Sequence, residues 1–582
     1  MRRFLQVFCA FFSAIIMALA IQNEFLLFGS PFLGLFALVP LYTALAQASS
    51  FKKAGLLMSL QMLCTHIFSS FWLGYFKDFA IFTLGATALT YAVFGYYIGG
   101  LFFMPFYITR KSALEEGAGM RPFNSPMRIL LFAFLWTVYE WVKSVGFLAY
   151  PWGTLIMSAW RWKLLTQIVD ITGTWGIGFL FSLFNAVIAE GLLLLPSILG
   201  SDTNNALHIR QQTKKRIFSY INTAVFCVSL FVLSTAYGIY RYTEKRTPIK
   251  KIRTLLVQPN FDSWLAESGK NALELSINLT EEQLNKTDRK PDVILWSETI
   301  LPYALPAALH YYTYSPEKKP LISFIRENGI PFISGAPVEL TADLPLAGTR
   351  TEDSGTRTKD GFAHSVSVMR EFNNAAVYFD GEGNWLDFYG KVQLVPFAEI
   401  IPYADKAWMR SFMQALVGFS SGWTPGKHYT VFDIPLKNGS AKISTPICFE
   451  DAFPYICRNL FFAGSEVFFN LTNDAWSRTD SAEIQHYVIA SYRAQEFRTS
   501  LVRCTNAGFT SVTDPAGRIL YSLPLFESTA GIVDVPVYKR TLTVYAVLGD
   551  WLPILLGGLW GAFYLVFYIR RRIEGHKTCP AT

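Results

Sequence analysis

Long apolar runs separated by short polar segments occupy the first 240 residues of the chain. A helix needs roughly 20 predominantly apolar residues to cross the hydrocarbon core of a bilayer. Runs of that kind lie near residues 4–21, 25–47, 54–75, 79–107, 127–148, 174–197, 217–240 and 550–569. The pattern therefore predicts about eight membrane-spanning helices, seven before residue 241 and one after residue 549.

Between residues 241 and 549 the pattern changes to short apolar runs bounded by Gly, Pro, Asn and Asp, which is typical of β-strands. It predicts buried strands at 252–258, 293–296, 331–335 and 466–470. Polar stretches of helical length, such as 271–286 and 481–499, separate some of these strands, so we expect a mixed α and β domain. The segment 341–359 has little periodicity and predicts a long mobile loop.

These patterns divide the chain into three parts. We expect a membrane domain of seven transmembrane helices at 1–240, an inserted soluble domain at 241–549, and a final transmembrane helix with its tail at 550–582. The expected fold class is a polytopic α-helical membrane bundle that carries an α+β domain.

The composition agrees with a membrane protein, since 52% of the residues are hydrophobic and only 16% are charged. The formal net charge of +8 does not by itself indicate a nucleic-acid partner. Cationic residues are expected to concentrate in the cytoplasmic loops of a membrane protein, so their positions decide. We expect no nucleic-acid partner.

Five basic clusters fall on alternate connections between the predicted spans. They are Arg2 and Arg3; Lys52 and Lys53; Arg110, Lys111, Arg121 and Arg128; Arg210, Lys214, Lys215 and Arg216; and Arg570, Arg571 and Arg572. Because such clusters remain in the cytoplasm, both termini are predicted to lie there and residues 241–549 on the opposite face. The basic residues on the wrong side, Arg161, Lys163 and those of the segment 241–253, are fewer.

Glu140 and Lys143 lie in the fifth predicted span, where ionisable side chains are costly and usually face the bundle interior or a water-filled cavity. Their spacing allows them to pair on one helix face. The sequence favours a structural ion pair over a role in a substrate path and leaves both open.

Reactive side chains follow the ends of three apolar runs in the inserted domain. Glu298 follows the run 293–296, Lys391 follows 388–390, and Cys448 follows 443–447. A thiol nucleophile needs a base to accept its proton and a cation or donor to hold the oxyanion that follows attack. Taken singly, each residue is more often packing or surface, but together they supply all three roles.

The flanking residues strengthen this interpretation. The segments 295–299 (LWSET), 390–397 (GKVQLVPF) and 447–451 (ICFED) resemble, in order, the Glu, Lys and Cys motifs of the nitrilase superfamily. The segments 470–476 (NLTNDAW) and 493–517 resemble the strand after the nucleophile and the closing helix and strands of that superfamily. This resemblance implies an α-β-β-α sandwich for the inserted domain.

One nitrilase-like family combines this domain with about seven preceding membrane helices and one following helix. The chain resembles that family, the apolipoprotein N-acyltransferases, over nearly its whole length. The resemblance implies a multi-pass protein of the bacterial inner membrane with its catalytic domain on the periplasmic side. It implies transfer of an acyl chain from a phospholipid to the N-terminal amine of a diacylglyceryl-modified lipoprotein cysteine, by a monomer without a cofactor.

Carried onto this chain, the resemblance makes Glu298 the proton acceptor, Lys391 the oxyanion stabiliser and Cys448 the nucleophile that forms a thioester. Glu399, in the Lys motif, is expected to hold Lys391 or to share the oxyanion site. Glu450 and Phe449 follow the nucleophile directly, and Phe449 stands where Tyr is common in the family.

The resemblance also concerns residues farther from the triad. Trp264 resembles a tryptophan that family members place near the lipid. The chain departs from the family in the loop 477–479, where an aromatic residue and Gly usually follow, and this puts the loop shape in doubt. Five aromatic residues near the Lys motif are expected to form either a lipid-contacting lid or domain core: Phe397, Trp408, Phe412, Phe419 and Trp423.

The seven Cys and seven His form no CxxC pair and no zinc-like cluster, so we expect no structural metal. An oxidising compartment permits a disulfide between Cys457 and Cys504, which the sequence leaves open. Three histidines, His364, His428 and His486, are candidates for an alternative base to Cys448.

Two other functions remain to be weighed. A membrane-tethered amidase would keep the three reactive residues and hydrolyse the thioester with water, although eight helices exceed what an anchor needs. A transporter or receptor with a ligand-binding domain is a third hypothesis. It is disfavoured because the spans show no clear repeat or paired set of broken helices.

Overall fold

The computed structural model describes residues 2–76, 80–114, 125–199, 207–262, 268–314, 320–340, 371–400, 403, 406–409, 411 and 422–577. Several residues discussed above lie outside these ranges: Trp264, His364, Phe412, Phe419 and the segment 341–359.

Helices dominate the first part of the chain. Their bounds are α1 Arg2–Ala20, α2 Pro31–Gly34, α3 Val39–Gln47, α4 Phe51–Ser69, α5 Thr87–Leu114, α6 Ser125–Lys143, α7 Leu155–Ser158, α8 Val169–Thr172, α9 Trp175–Leu199 and α10 Leu207–Thr243.

Strands and helices alternate in the inserted domain, and one long helix follows it. The strands are β1 Lys250–Gln258, β2 Val293–Trp296, β3 Phe332–Leu340, β4 Glu371–Phe379, β5 Trp385–Gly390, β6 Phe432–Leu436, β7 Gly439–Ser444, β8 Val467–Thr472, β9 Ser500–Thr505, β10 Ser511–Thr513, β11 Ile519–Ser522 and β12 Thr529–Val537. The helices are α11 Ser268–Asn285, α12 Leu309–Tyr314, α13 Leu321–Asn328, α14 Pro454–Phe462, α15 Asp480–Phe497, α16 Val544–Leu548 and α17 Trp551–Lys577.

Five of the predicted spans coincide with helices that are long and apolar enough to cross a membrane, within the part of the chain that the structure describes. They are Arg3–Ala20, Thr83–Tyr107, Trp175–Leu195, Lys214–Thr243 and Trp551–Ile569. The spans expected at 54–75 and 127–148 are helices that end earlier, at Ser69 and Lys143. Several apolar helices are therefore present, and the number eight stays a prediction.

The span expected at 25–47 is not one continuous helix. Pro31 and Pro40 each lie in the first turn of a short helix, α2 and α3. Proline has no N–H group and is accommodated best in a first turn, where that group would have no helical partner. The Ser30 hydroxyl accepts a hydrogen bond from the backbone N–H of Leu33 at 3.4 Å and so starts α2. These local signals break the apolar run into two short helices.

Two six-stranded sheets form the centre of the inserted domain. Their strand orders are β12-β1-β2-β3-β4-β5 and β11-β10-β9-β8-β7-β6. In the first sheet β1, β2 and β3 are parallel, and in the second β7, β8 and β9 are parallel, with antiparallel strands at the edges. All four strands predicted from the sequence lie within this set.

Alternate residues of β1 point into two different layers, as the strand period of two requires. Leu255 and Val257 pack with the apolar faces of α11 and α13. Ile252 and Leu256 belong to the core that contains the second sheet. The domain is consequently a sandwich of helices, two sheets and helices, as the resemblance to the nitrilase superfamily implied.

Helix α15 connects the sandwich to the membrane helices. Every residue from Ser481 to Phe497 is buried, although the helix is rich in polar side chains. Its Gln485 amide donates to the carbonyl oxygens of Gln22 at 2.8 Å and Ser69 at 2.9 Å, and its Tyr492 hydroxyl donates to Ile156 O at 2.9 Å. The membrane helices therefore cover the face of α15 that a soluble domain would expose to water.

Candidate active site

Lys391 and Glu298 are brought together by the first sheet. Glu298 follows β2 and Lys391 follows β5, and their side chains are only 4% and 1% exposed. Lys391 Nζ lies 3.3 Å from Glu298 Oε1 and 2.8 Å from Glu399 Oε1. The structure thus places three of the predicted residues in one buried cluster, with the ammonium between two carboxylates.

Asn374 of β4 fixes both carboxylates. Its side-chain amide donates to Glu298 Oε1 at 2.8 Å and to Glu399 Oε1 at 3.0 Å. Sequence reasoning missed this residue. The signal was present, because Asn373 and Asn374 are two consecutive polar residues in an apolar strand, and buried amides need partners.

Cys448 begins a short 3₁₀ turn, Cys448–Ala452, after the end of β7. Its φ of 47° is in the left-handed region, which is unfavourable for a residue with a side chain and occurs often at functional sites. Asn470 of β8 holds this turn by donating to the carbonyl oxygens of Pro446 at 3.1 Å and Cys448 at 3.2 Å. Cys448 as a whole residue is half-buried in this turn.

The parallel strands explain why these residues meet. Glu298 follows β2 of the first sheet, and Cys448 and Asn473 follow β7 and β8 of the second, so the carboxyl ends of parallel strands from both sheets meet at the site. The backbone N–H of Asn473 donates to Glu298 Oε2 at 3.0 Å and so joins the second sheet to the first.

Glu450 ties the nucleophile turn to the Lys391 loop. Its carboxylate accepts backbone N–H groups of Ile447 at 2.8 Å, Val392 at 2.7 Å and Gln393 at 3.0 Å. It also accepts the Tyr389 hydroxyl at 3.0 Å. Complete burial raises the pKa of Glu450 to about 7, although these N–H groups act in the opposite direction. Through these hydrogen bonds Glu450 connects the turn of Cys448 to the loop of Lys391.

Burial, followed by the negative charge of Glu298, raises the pKa of the Cys448 thiol well above its ordinary value, while Lys391 opposes the shift. Burial also raises the pKa of Glu298. For Lys391, burial would lower the pKa, but the two carboxylates Glu298 and Glu399 outweigh it and the pKa lies well above its usual range. The resting site is therefore a neutral thiol beside a lysine ammonium and a carboxylate that can accept a proton.

His486 is not available as a base. Its two ring nitrogens lie 2.6 Å from Asp474 Oδ2 and 2.9 Å from Asp451 Oδ1. Burial alone would lower its pKa, but these two carboxylates raise the pKa to about 9, so the ring is protonated at neutral pH. His428, the other described candidate, is exposed. The hypothesis of a histidine base for Cys448 finds no support in these positions.

Cys457 and Cys504 are both buried free thiols. Cys504 lies between the sheets, where its thiol contacts the carbonyl oxygens of Val257 and Leu295 at 3.4 and 3.2 Å. Cys457 belongs to α14, on the outer face of the second sheet. They lie in different layers of the sandwich, so the disulfide that the sequence left open is not formed.

Aromatic side chains join the site to the membrane helices. Phe449 stacks on Trp152 with a ring-centre distance of 5.5 Å and an interplanar angle of 5°. Trp476 contacts Phe76 at 5.0 Å and Trp72 at 5.6 Å. We call these five rings, Trp72, Phe76, Trp152, Phe449 and Trp476, the aromatic seam.

Only part of the expected lid can be placed. Trp408 is 64% exposed, which fits a lipid-contacting surface better than domain core. Phe397 and Trp423 are half-buried near the Lys391 loop. The loop 477–479, whose sequence differs from that usual in the family, forms a local turn. Ser477 donates to Glu483 Oε1 at 2.9 Å, and Arg478 adopts a φ of 52°.

Comparison with known proteins adds to this geometry. Residues 13–187 match the apolipoprotein N-acyltransferase N-terminal domain, and residues 257–542 match the carbon-nitrogen hydrolase family. Apolipoprotein N-acyltransferase 2 of Treponema denticola is 38% identical over 557 residues, which is 96% of this chain and 96% of the relative. The chain belongs to the apolipoprotein N-acyltransferase family. Apolipoprotein N-acyltransferase 2 of Treponema pallidum is 37% identical over 93% of this chain and 91% of its own length.

Among solved structures, an amidase of the nitrilase superfamily from Nesterenkonia is similar to half of the chain. It is 16% identical, covers 50% of this chain and 94% of its own, and has a TM-score of 0.32. The match of residues 257–542 to the carbon-nitrogen hydrolase family agrees with the two-sheet sandwich of this apolipoprotein N-acyltransferase family member.

Proposed function

We propose that the protein transfers an acyl chain from a phospholipid to the N-terminal amine of the diacylglyceryl cysteine of an apolipoprotein. The reaction proceeds in two steps through a thioester on Cys448, with Glu298 as the proton acceptor and Lys391 as the oxyanion stabiliser. The observation that supports this most is the buried Lys391 ammonium, held between Glu298 and Glu399 and acting electrostatically on Cys448.

In the first step the Cys448 sulfur attacks the ester carbonyl of the phospholipid. The C–S bond forms while the thiol proton moves to Glu298, because a neutral thiol is a weak nucleophile. Lys391 holds the oxyanion. The ester C–O bond then breaks, and Glu298 returns the proton to the departing lysophospholipid oxygen.

The second step regenerates the thiol. The amine attacks the thioester, Lys391 again holds the oxyanion, and the C–S bond breaks as the amide forms. Glu399 and Asn374 position Lys391 and Glu298 through both steps. Glu399 Oε1 accepts hydrogen bonds from Lys391 Nζ and from the Asn374 amide, and the same amide donates to Glu298 Oε1. Glu450 keeps the nucleophile turn and the Lys391 loop at a constant separation.

A membrane-proximal site suits these substrates. Exposing an acyl chain to water costs about 0.8 kcal/mol per CH₂, so the reacting carbonyl cannot travel far from the bilayer. The aromatic seam runs from Trp72 and Phe76, which follow α4, through Trp152 to Phe449, the residue after the nucleophile. We infer that the acyl chain reaches Cys448 along this seam, from the outer leaflet of the inner membrane.

The decisive experiment uses the purified full-length protein in detergent with a phospholipid radiolabelled in its acyl chain. We expect the protein to become labelled, hydroxylamine to release this label, and the Cys448→Ala variant to carry no label. Glu298→Gln and Lys391→Met should each slow labelling by at least about 100-fold, the scale of losing a proton acceptor or an oxyanion donor.

Acceptor addition then separates the alternatives. Adding a diacylglyceryl-cysteine peptide should move the label to the peptide. Release of free fatty acid with no labelled peptide would instead indicate the tethered amidase. Labelling that persists in Cys448→Ala would refute the proposed nucleophile.

A further inference from the structure

Asp474 lies beside the Cys448 sulfur and close enough to Glu298 and Lys391 to act on both electrostatically. Its side chain is 7% exposed, and its Oδ1 is 3.9 Å from Cys448 Sγ. The other oxygen, Oδ2, is held by His486 Nδ1 at 2.6 Å and lies 3.7 Å from Arg503 NH2. The structure thus fixes one oxygen of this carboxylate and aims the other at the reacting atom.

The rest of the network keeps Asp474 ionised. His486 and Arg503 each also bind Asp451, and the buried Glu483 carboxyl acts electrostatically on the same cluster. Burial alone would raise the pKa of Asp474, but the neighbouring cations lower it below its ordinary value. Asp474 therefore carries a full negative charge at neutral pH.

A negative charge at this position works against the first step. Like Glu298, Asp474 acts to raise the pKa of the Cys448 thiol, so it disfavours the thiolate that attacks the phospholipid. The ionised groups acting on the sulfur comprise Glu298, Glu399 and Asp474 against one ammonium, that of Lys391. Such a surrounding attracts a cation and repels the phosphate of the acyl donor.

We propose that Asp474 Oδ1 binds the α-ammonium group of the acceptor in the second step, next to the thioester carbonyl. The inference rests on the proposed function, which supplies an acceptor with a free N-terminal amine. An α-amino group has an ordinary pKa of about 8 and arrives mostly protonated. The nitrogen must come within about 3.5 Å of the thioester carbon to react, and Asp474 Oδ1 lies at that scale from the sulfur.

The step balances with the groups already present. The ammonium bound at Asp474 gives one proton to Glu298, and the neutral nitrogen attacks the thioester carbon. The C–N bond forms, the C–S bond breaks, and the thiolate of Cys448 takes the second proton from the nitrogen. The proton on Glu298 leaves to solvent, and the products are the amide and the neutral thiol.

The test separates the two steps in the full-length Asp474→Asn protein. Labelled phospholipid alone should load Cys448 at least as fast as in the wild type, because a charge that opposes the thiolate is gone. Transfer of the label to a diacylglyceryl-cysteine peptide should be about 100-fold slower, the scale of losing a buried charge partner. Discharge by hydroxylamine, which is uncharged in neutral buffer, should be unchanged.

Loading is also the folding control, since an unfolded variant would not form the thioester. Asp451→Asn removes the same charge from the same network without touching the sulfur. It should change the two steps in equal proportion. If Asp474→Asn slows both steps equally, or neither step, the ammonium site is refuted. If the wild type itself forms no thioester, the proposed function fails instead, and the two failures are distinguishable.

A binding measurement provides a second line that needs no chemistry. On the Cys448→Ala protein, the peptide with its amine should bind about tenfold more tightly than the same peptide with hydrogen in place of the amine. In the Cys448→Ala protein that also carries Asp474→Asn, this ratio should fall to about one. An unchanged ratio would refute the site.

Discussion

At the scale of single residues, the site combines ionised groups with buried groups that hold the loops around them. Glu450 illustrates the second kind, because three backbone N–H groups from two separate loops converge on its carboxylate. A carboxylate has enough lone pairs for all of them, whereas an amide presents one oxygen and two further N–H donors. Glu450 therefore contributes to the site chiefly through the number of hydrogen-bond acceptors on its carboxylate.

Glu450→Gln should therefore lower both stability and activity. The amide leaves buried N–H groups without acceptors, and we expect a loss of about 3 kcal/mol in the free energy of unfolding. Thermal unfolding in detergent and the rate of thioester formation measure the two effects. Tyr389→Phe is the matched control, since it removes one donor and keeps the acceptor, and it should cost less than half as much. Equal effects of the two variants would contradict this account.

His486 predicts a pH dependence of stability. Its pKa rises from 6.5 to about 9 on folding, so between these values the folded protein holds a proton that the unfolded chain has lost. Its contribution is fully present below pH 6.5 and is lost as the pH rises through about 9. The change has a ceiling of about 3 kcal/mol. Melting temperatures measured across this range should fall for the wild type and stay flatter for His486→Gln, and equal slopes would show that another group dominates.

At the scale of elements, α15 shows how one helix serves two domains. It packs on the second sheet with one face and on the membrane helices with the other, and Trp160 Nε1 donates to its Ser491 hydroxyl at 2.9 Å. Arg498, which follows the last residue of α15, adopts a φ of 49°, and its guanidinium contacts Gln167 and Asp170 of the membrane domain. The hydrogen bonds between α15 and the membrane helices are directional, so they fix the position of α15 along its axis relative to those helices.

A substitution of Arg498 measures how much the contact between α15 and the membrane domain contributes to stability. Its guanidinium donates to Asp170 Oδ2 at 2.9 Å, to Gln167 Oε1 at 2.6 Å and to Gln167 O at 2.9 Å. Arg498→Lys keeps the charge but loses the planar fork, so we expect a loss of about 3 kcal/mol in stability. Thermal unfolding in detergent measures it. Arg518→Lys is the control, because Arg518 is half-exposed and forms a local pair with Asp514, and it should change stability by less than about 1 kcal/mol.

At the scale of the whole molecule, the membrane helices also shape the site. Glu140 Oε1 accepts the backbone N–H of Leu155 at 2.6 Å, and Lys143 Nζ donates to Trp152 O at 2.7 Å. Both side chains therefore hold the loop that carries Trp152, which stacks on Phe449 beside the nucleophile. The two side chains therefore make contacts with this loop instead of the predicted contact with each other.

The orientation of the whole molecule is a prediction from the basic clusters, and cysteine labelling tests it. Lys437, at the exposed turn between β6 and β7, should lie outside the cytoplasm, whereas the exposed Lys214 should lie inside. In intact cells without an outer membrane, a membrane-impermeant maleimide should label Lys437→Cys and spare Lys214→Cys until the cells are permeabilised. The protein without an introduced cysteine sets the background, and the reverse pattern would invert the topology.

Much of this architecture was readable from the chain because its signals are local. Apolar runs of spanning length predicted five helices that the structure contains, and short apolar runs bounded by turn residues predicted β1, β2, β3 and β8. Glu298, Lys391 and Cys448 each follow the end of a strand, and the resemblance of their flanking motifs to the nitrilase superfamily made them candidates without knowledge of the fold. Local periodicity determines such features, since neighbouring residues alone decide whether a segment can bury one face.

Contacts between distant segments were decided only by the tertiary structure. Asn374 and Asp474 gain their importance from partners in other parts of the chain, since Glu298 is 76 residues from Asn374 and Cys448 is 26 residues from Asp474. The polar sequence of α15 indicates a solvated helix, yet its neighbours bury it on all sides. Burial and electrostatic partners depend on how sheets and helices stack, and that packing arises from the whole chain at once, so no single segment could reveal it.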